Sequence, residues 1–212
     1  MKRTLKFSLA ALLFLSITSC KKESASSSSN NPPTSCNQAP FRVGTTYTYS
    51  GGTPTTTSTI TATKDTLIAG TTYFNMQGTS GTTTQRSYIA VDASGNVLQW
   101  VPSLGDVPAN TMIYVKTGEA VNATWNYTFN GVSNPTLVKH KYTFTILSKS
   151  ETFTLNGVTY SNGIKVRQLY QPEVSGISTG NIEFTTTYFC GLGTAVTTQG
   201  ATVLRTLTGY TY

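Results

Sequence analysis

Apolar and polar residues alternate with a period of two along most of the chain after Thr45. Around Trp125, Tyr127 and Phe129, for example, every second side chain is aromatic, and the residues between them are polar. Such alternation places apolar groups on one face of a strand and polar groups on the other. No window shows a sustained helical period. The pattern therefore predicts an all-β domain of antiparallel strands.

Short turn signals separate these strands. Asn156-Gly157 lies between two alternating segments and is a strong signal for a two-residue hairpin. Other turn signals are Gly51-Gly52, Ala69-Gly70, Ser94-Gly95-Asn96, Asn162-Gly163 and Gly191. This spacing predicts an up-and-down meander of about ten strands. A sheet of that size should curl into an open barrel or half-barrel, or fold into a sandwich.

The two halves of the chain also contain similar segments. KDTLIAGTTYFN at Lys64–Asn75 and SETFTLNGVTYSN at Ser150–Asn162 both pass through an apolar segment and a Gly turn to Thr-Tyr-x-Asn. YTY at Tyr47–Tyr49 corresponds in the same way to WNY at Trp125–Tyr127. The repeat predicts two similar meanders, at 40–120 and 121–212, within one domain. The alternative is coincidence in a Thr-rich chain.

The N-terminal residues do not follow the strand pattern. A basic segment precedes the apolar run Phe7–Ile17, which is too short to span a bilayer and is typical of an export signal. The small residue Ser19 and then Cys20 follow the run. This order resembles the lipobox of bacterial lipoproteins, although Ile17 and Thr18 depart from its usual residues. The resemblance implies that residues 1–19 are a lipoprotein signal peptide and that Cys20 is the lipidated residue.

Residues 20–35 are rich in Ser, Asn and Pro and contain almost no apolar side chain, so they are expected to form a disordered tether. Two or three acyl chains on Cys20 would anchor the protein stably to a membrane, whereas one chain anchors only marginally. Lys21 follows the cysteine, so the inner-membrane retention signal of enterobacterial lipoproteins is absent. The SCKKE opening and Ser-rich tether resemble lipoproteins of Bacteroidota. An outer-membrane anchor is expected, on either the periplasmic or the cell-surface face.

The folded part begins at residue 36 and extends to 212. Its segment Thr124–Val196 resembles uncharacterised bacterial lipoproteins through WNYTF, KYTFTIL, TLNGVTYSNGIKVRQ and TTYFCGLGTAV. The resemblance implies an antiparallel sheet curled into an open barrel or half-barrel, like that of lipid-carrier lipoproteins. Cys190 and the short GLG stand where those proteins usually carry a small residue and a Lys. No catalytic residue is implied by the resemblance.

The number and distribution of charged residues limit the functions that are expected of this chain. Charged residues make up 11% of the chain, with a net charge of +7. Three of the basic residues, Lys2, Arg3 and Lys6, belong to the predicted signal peptide, and the others are scattered. Nucleic-acid binding is therefore not expected. His140 lies between two lysines and is expected to be exposed at a solvated strand end.

The chemistry-bearing residues do not form a recognisable active site. His140 is the single histidine, so HExxH zinc sites and His-containing triads lack their residues. Acidic residues occur singly. We therefore expect neither enzymatic activity nor a cofactor or metal site. Cys36 and Cys190 remain after Cys20, and they form a disulfide in an oxidising compartment, or else Cys190 is a buried thiol and Cys36 is free.

Aromatic residues are the remaining candidates for function. Trp100, Trp125, Tyr127 and Tyr160 would line a cavity if the curled sheet encloses one, and would there bind a small apolar or glycan ligand. The alternative is that they fill the core. The expected function is a lipid-anchored, non-enzymatic outer-membrane lipoprotein, and the second hypothesis is a surface structural or adhesion module with a filled core. The sequence does not indicate an oligomeric state.

Overall fold

A computed structural model describes residue 36 and residues 41–52, 56–80, 83–103 and 105–211. The predicted signal peptide at 1–19, Cys20 and the predicted tether at 20–35 lie outside the described residues.

The described residues form thirteen strands, every pairing between them is antiparallel, and they contain no helix. The all-β prediction is confirmed. The strands are β1 (Thr46–Gly51), β2 (Thr56–Ile68), β3 (Thr71–Ser80), β4 (Thr83–Val91), β5 (Val97–Val101), β6 (Asn110–Val115), β7 (Thr124–Asn130), β8 (Val138–Leu155), β9 (Val158–Val174), β10 (Ile177–Ser178), β11 (Ile182–Phe189), β12 (Gly193–Gln199) and β13 (Thr202–Thr211).

All thirteen strands belong to one sheet. Its order is β6-β5-β4-β3-β2-β1-β13-β12-β11-β9-β8-β7, and the short β10 pairs only with β9. Neighbouring strands are thus consecutive in the chain apart from β10, and β1 pairs with β13, which joins the first and last strands. The sheet is barrel-shaped and nearly closed, which confirms the predicted curled meander.

The barrel remains open between β6 and β7, and we call this junction the seam. No ladder of backbone hydrogen bonds joins the two strands. Instead, the Trp125 indole N–H donates to the Ile113 carbonyl (2.7 Å), and the Ile113 amide donates to the Tyr127 hydroxyl (2.8 Å). Side chains of β7 therefore satisfy backbone groups that an edge strand would otherwise leave unpaired.

The seam divides the chain near the predicted boundary between residues 120 and 121. Strands β1 to β6 precede it, and β7 to β13 follow it. The hairpins in the two similar segments have matching turns: φ is 47° and 81° at Ala69 and Gly70, and 51° and 80° at Asn156 and Gly157. Two central residues with positive φ are the signature of a type I′ hairpin. Superposition of the complete halves remains a prediction.

A disulfide links Cys36 to Cys190 across 154 positions of sequence, with the two Cα atoms 4.5 Å apart. Disulfides usually span Cα separations of about 4.4–6.8 Å, so the backbone positions are compatible with this bond. Cys190 lies in the turn between β11 and β12. The bond therefore ties the start of the described chain to a late part of the sheet.

Two hydrophobic clusters form the core. The first includes residues of β1, β2, β3, β11, β12 and β13, of the turn between β11 and β12, and of the tip of the β8–β9 hairpin, among them Tyr47, Met76 and Tyr160. The second gathers residues from β5 to β9 and from β11, including Trp125 and Phe144, whose rings stack 5.4 Å apart. The interior thus consists of two packed regions rather than one.

Candidate functional site

A cavity of about 350 Å³ touches both clusters. Tyr47, Tyr49 and Met76 of the first cluster form part of its wall, and Val97 and Tyr188 of the second form another part. Ligand pockets usually measure roughly 300–1,000 Å³, so this cavity has room for one small molecule. The interior of the barrel is therefore neither fully hollow nor fully packed, because residues of two packed regions border this open space.

Polar side chains form the rest of the wall. Gln85 and Ser87 of β4 share a strand face with Ile89, since residues two apart on a strand point the same way. Gln85 is exposed, whereas Ile89 is half-buried. Gln99 of β5 also lines the cavity. The wall therefore combines an apolar part with a polar part that reaches solvent.

Arg205 of β13 places a cationic group in this wall. Its guanidinium carbon lies 5.1 Å from the centre of the Tyr49 ring, a distance at which a cation and an aromatic face attract each other. Its Nε donates a hydrogen bond to Thr197 Oγ1 (3.2 Å). These two contacts fix the orientation of a half-buried guanidinium beside the cavity.

The charge of Arg205 affects the pKa of two tyrosines in the cavity wall. Burial raises the pKa of Tyr49, and the nearby Arg205 charge partly opposes the rise. Burial likewise raises the pKa of Tyr114, whereas a hydrogen bond with Thr186 and the charge of Arg205 lower it by less. Both phenols therefore stay neutral at physiological pH. The Tyr49 hydroxyl donates to the Thr194 carbonyl (3.0 Å), so it is already engaged within the protein.

The four aromatic residues predicted to bind a ligand do not line this cavity. Trp125 and Tyr127 meet at the seam through Ile113. Trp100 packs edge-on against Tyr88, with ring centres 4.9 Å apart. Tyr160 belongs to the first cluster, and its hydroxyl lies 3.2 Å from that of Tyr210. Ligand contact by these four residues remains a prediction.

Sequence reasoning missed Arg205. A weak signal was present, because β13 places a charged residue two positions before Leu207, which is buried on the same alternation. An arginine that shares an apolar strand face must either reach solvent or lie beside an interior space. Only the partner strands decide between these outcomes.

The expectation that His140 is exposed is wrong. The residue is 5% exposed, and its Nδ1 lies 2.8 Å from the Tyr170 hydroxyl. On the other side, its Nε2 lies 3.5 Å from Oδ2 of Asp106, in the segment between β5 and β6. That segment covers the strand end on which the two neighbouring lysines lie. A distant segment of the chain therefore buries a residue whose sequence neighbours are polar.

Asp106 organises this cluster. Its Oδ1 accepts a hydrogen bond from the Ser133 amide (2.6 Å), and this bond, with smaller contributions from His140, lowers the pKa of the carboxyl. Burial, and then the charge of Asp106, raises the pKa of Tyr170. A phenol with a raised pKa stays protonated at neutral pH and is a poor nucleophile. The cluster thus acts as a hydrogen-bonded clamp between the β5–β6 and β7–β8 segments.

A second cavity, of about 340 Å³, lies along β8, β9, β11 and β12. Four of its ten described lining residues are threonines, Glu151 and Lys165 are also among the ten, and none of them lines the first cavity. Within the described part of the chain, no group of three or more His, Cys, Asp or Glu residues is placed to hold a metal ion. No helix there is long and apolar enough to cross a membrane.

No protein-family model matches the chain, and no curated protein matches it. Among solved structures, it is similar to a crystal structure described as that of "a putative lipoprotein from Parabacteroides distasonis ATCC 8503". The TM-score is 0.48 and the sequence identity is 10%, over 81% of this chain and 98% of that chain. A likeness of this degree does not identify the function of the present protein.

Proposed function

We propose that this protein is a lipid-anchored outer-membrane lipoprotein whose β domain binds one small, partly apolar molecule and catalyses no reaction. The cavity of about 350 Å³ that touches both core clusters carries this proposal. Apolar side chains such as Ile60, Met76 and Val97 supply a wall from which a ligand would displace water. A surface structural or adhesion module with a filled interior is the competing function, and the cavity favours ligand binding over it.

The anchor is supported by the sequence alone. The basic start, the short apolar run and Cys20 follow the order of a lipoprotein signal. Two or more acyl chains at Cys20 would hold the domain stably at a membrane. The residue after Cys20 is Lys21, which supports the outer membrane rather than the inner one.

A cavity-filling variant tests ligand binding. Gly78 lines the cavity, its φ is not positive, and a Cβ added there would meet Ile60 Cγ1 at 3.5 Å, an ordinary contact. Gly78→Leu should therefore fill the space without backbone strain. Gly118→Leu is the matched control, because a Cβ at this exposed position has no heavy atom within 4 Å.

The measurement is fluorescence titration with N-phenyl-1-naphthylamine, a neutral apolar probe, together with native mass spectrometry of the purified protein. We expect the natural protein and Gly118→Leu to bind the probe with equal affinity, and Gly78→Leu to bind at least about tenfold more weakly. Each methylene that loses its apolar site costs about 0.8 kcal/mol, so a blocked cavity gives an effect of this size. Equal binding by all three proteins would contradict the proposal, as would a natural protein that binds no probe.

Replacing the lipidated cysteine tests the anchor. We expect the natural protein in the outer-membrane fraction, with an acylated N-terminal peptide beginning at Cys20 in its mass spectrum. Cys20→Ser should lose the acylated peptide, whereas Cys36→Ser should keep it. The mass spectrum is needed beside fractionation, because an uncleaved export segment would also hold the protein on a membrane. An unmodified N-terminal peptide in the natural protein would overturn the anchor.

A further inference from the structure

We infer that the ligand of the cavity carries an anionic head group, a carboxylate or a phosphate ester, which the guanidinium of Arg205 binds. This inference rests on the proposed function. It adds a negatively charged group to the partly apolar ligand that is proposed for this cavity.

The charges of the cavity wall are all of one sign. Arg86 and Arg205 line the cavity, and none of the sixteen described residues that line it is an aspartate or glutamate. Among the described residues, no aspartate or glutamate lies within ion-pair distance of Arg86 or Arg205. Arg205 is half-buried, and without a carboxylate partner its guanidinium remains available to an anionic ligand.

The guanidinium of Arg205 is oriented but not saturated. Its Nε is occupied by Thr197 Oγ1, and its carbon lies against the Tyr49 ring. Within the described residues, no hydrogen bond involves its two terminal nitrogens. A guanidinium carries five N–H donors in a planar fork, so four remain for a ligand. A planar fork held in one orientation suits a carboxylate or phosphate oxygen pair.

The neighbouring groups of the wall are compatible with an anion. The Tyr49 hydroxyl donates to a backbone carbonyl, and the Tyr114 hydroxyl lies 3.1 Å from Thr186 Oγ1. Both phenols stay neutral, so neither places a negative charge beside Arg205. The side chain of Gln85 forms no hydrogen bond to a described residue, which leaves its amide available to a head group.

The rest of the wall suits the other end of the same molecule. Its apolar members are Phe41, Tyr47, Ile60, Met76, Ile89 and Val97. The volume of about 350 Å³ is near the lower limit of ligand pockets, so the apolar tail should be short. The geometry is therefore that of a site for a small anionic amphiphile.

Competition between three ligands with the same tail tests this inference. Decanoate, decyl phosphate and decanol each displace N-phenyl-1-naphthylamine from the purified protein, and the displacement gives the affinity of each. We expect one or both anions to bind at least tenfold more tightly than decanol. That preference should shrink as the salt concentration rises, because the head-group contact is electrostatic. The comparison of the two anions shows whether the site favours a carboxylate or a phosphate.

Variants assign the preference to one residue. Arg205→Gln should reduce the affinity for the favoured anion at least tenfold and leave the affinities for decanol and for the neutral probe unchanged, because charge-assisted hydrogen bonds contribute more than neutral ones. Arg205→Lys should restore part of the loss. Lys64→Gln is the control, since it removes the same charge from an exposed position on β2 outside the cavity wall.

The outcomes separate this inference from the proposed function. If the neutral probe binds but anions show no preference over decanol, the anionic head group is wrong and the cavity remains. If Arg205→Gln weakens decanol and the anions equally, Arg205 only supports the wall, and the inference is again wrong. If the natural protein binds no probe at all, the proposed function fails and the inference fails with it.

Discussion

Buried phenols are the side chains whose acidity this barrel changes most. Burial raises the pKa of Tyr188, a member of the second cluster and of the cavity wall. Burial, followed by the neighbouring Tyr170, raises the pKa of Tyr142 from 10.0 to about 12. The Tyr142 and Tyr170 rings stack 4.8 Å apart. A phenolate would lose hydration at either site, so the folded state favours the neutral form.

Alkaline pH should therefore destabilise the protein through Tyr142. A group whose pKa is higher in the folded state contributes stability below its unfolded pKa, and that contribution is lost as pH rises through the folded value. We expect the melting temperature to fall between pH 10 and pH 12, and to fall less steeply in Tyr142→Phe. Parallel curves for the two proteins, measured by circular dichroism at each pH, would show that Tyr142 does not contribute.

At the scale of single residues, the burial of His140 could not be predicted from the residues next to it in the sequence. Its neighbours Lys139 and Lys141 are typical of a solvated strand end, and Lys141 does pair with Glu173 near the surface. The ring of His140 is nevertheless buried, because Asp106 reaches it from a segment 34 positions earlier in the chain. No property of the surrounding sequence indicates that contact.

At the scale of elements, the seam is the least regular junction of the sheet. The edges of β6 and β7 are held by the contacts of Trp125 and Tyr127 with Ile113. The loop between the two strands is held by Lys149 of β8, whose Nζ donates to the carbonyls of Thr117 (2.8 Å) and Glu119 (2.9 Å). Side chains therefore replace the backbone ladder that joins every other pair of adjacent strands.

Removing one hydroxyl should loosen the seam. Tyr127→Phe leaves the Ile113 amide without its acceptor, and we expect a loss of about 1–2 kcal/mol in the free energy of unfolding. Amide exchange at Ile113 should accelerate more than exchange elsewhere in β6. Tyr88→Phe is the control, because the Tyr88 hydroxyl forms no hydrogen bond to a described residue. Unchanged exchange at Ile113 in Tyr127→Phe would show that the hydroxyl does not hold the seam.

At the scale of the whole molecule, long-range connections complete the barrel. Strand β1 pairs with β13. The Cys36–Cys190 disulfide adds a covalent link between the residue at the start of the described chain and the turn between β11 and β12. Such a bond reduces the conformational entropy of the unfolded chain, and the effect increases with the length of the closed loop. For a separation of 154 residues the chain-entropy estimate is about 5 kcal/mol, which is an upper limit.

Loss of the disulfide should lower the stability measurably. We expect the Cys36→Ser, Cys190→Ser double variant to unfold at a lower denaturant concentration than the natural protein, by up to about 5 kcal/mol in the free energy of unfolding. Reduction of the natural protein should have a similar effect. Thiol labelling of denatured, unreduced protein provides the direct check. Labelling of both Cys36 and Cys190 would show that the bond does not form.

The cavity could not be located from the sequence, for a reason that applies to the barrel as a whole. The wall combines Tyr49 of β1 with Thr194 of β12, which are 145 positions apart. Tyr114 of β6, another wall residue, is hydrogen-bonded to Thr186 of β11, which is 72 positions away. Alternation assigns each residue to a face of its strand but does not say which strands meet. The predicted aromatic site consisted of side chains that are conspicuous in the sequence, whereas the cavity wall depends on strand pairings that only the assembled sheet establishes.

The sequence by itself determined the antiparallel strands and the type I′ turn at Asn156-Gly157, because period-two alternation and turn chemistry act between residues close in the chain. The tertiary structure alone decided that β1 closes on β13, that the opening falls between β6 and β7, and that Arg205 lies beside a cavity. These features arise from contacts between distant segments. Each segment has the same local pattern whether its partner is a neighbouring strand, a loop or solvent.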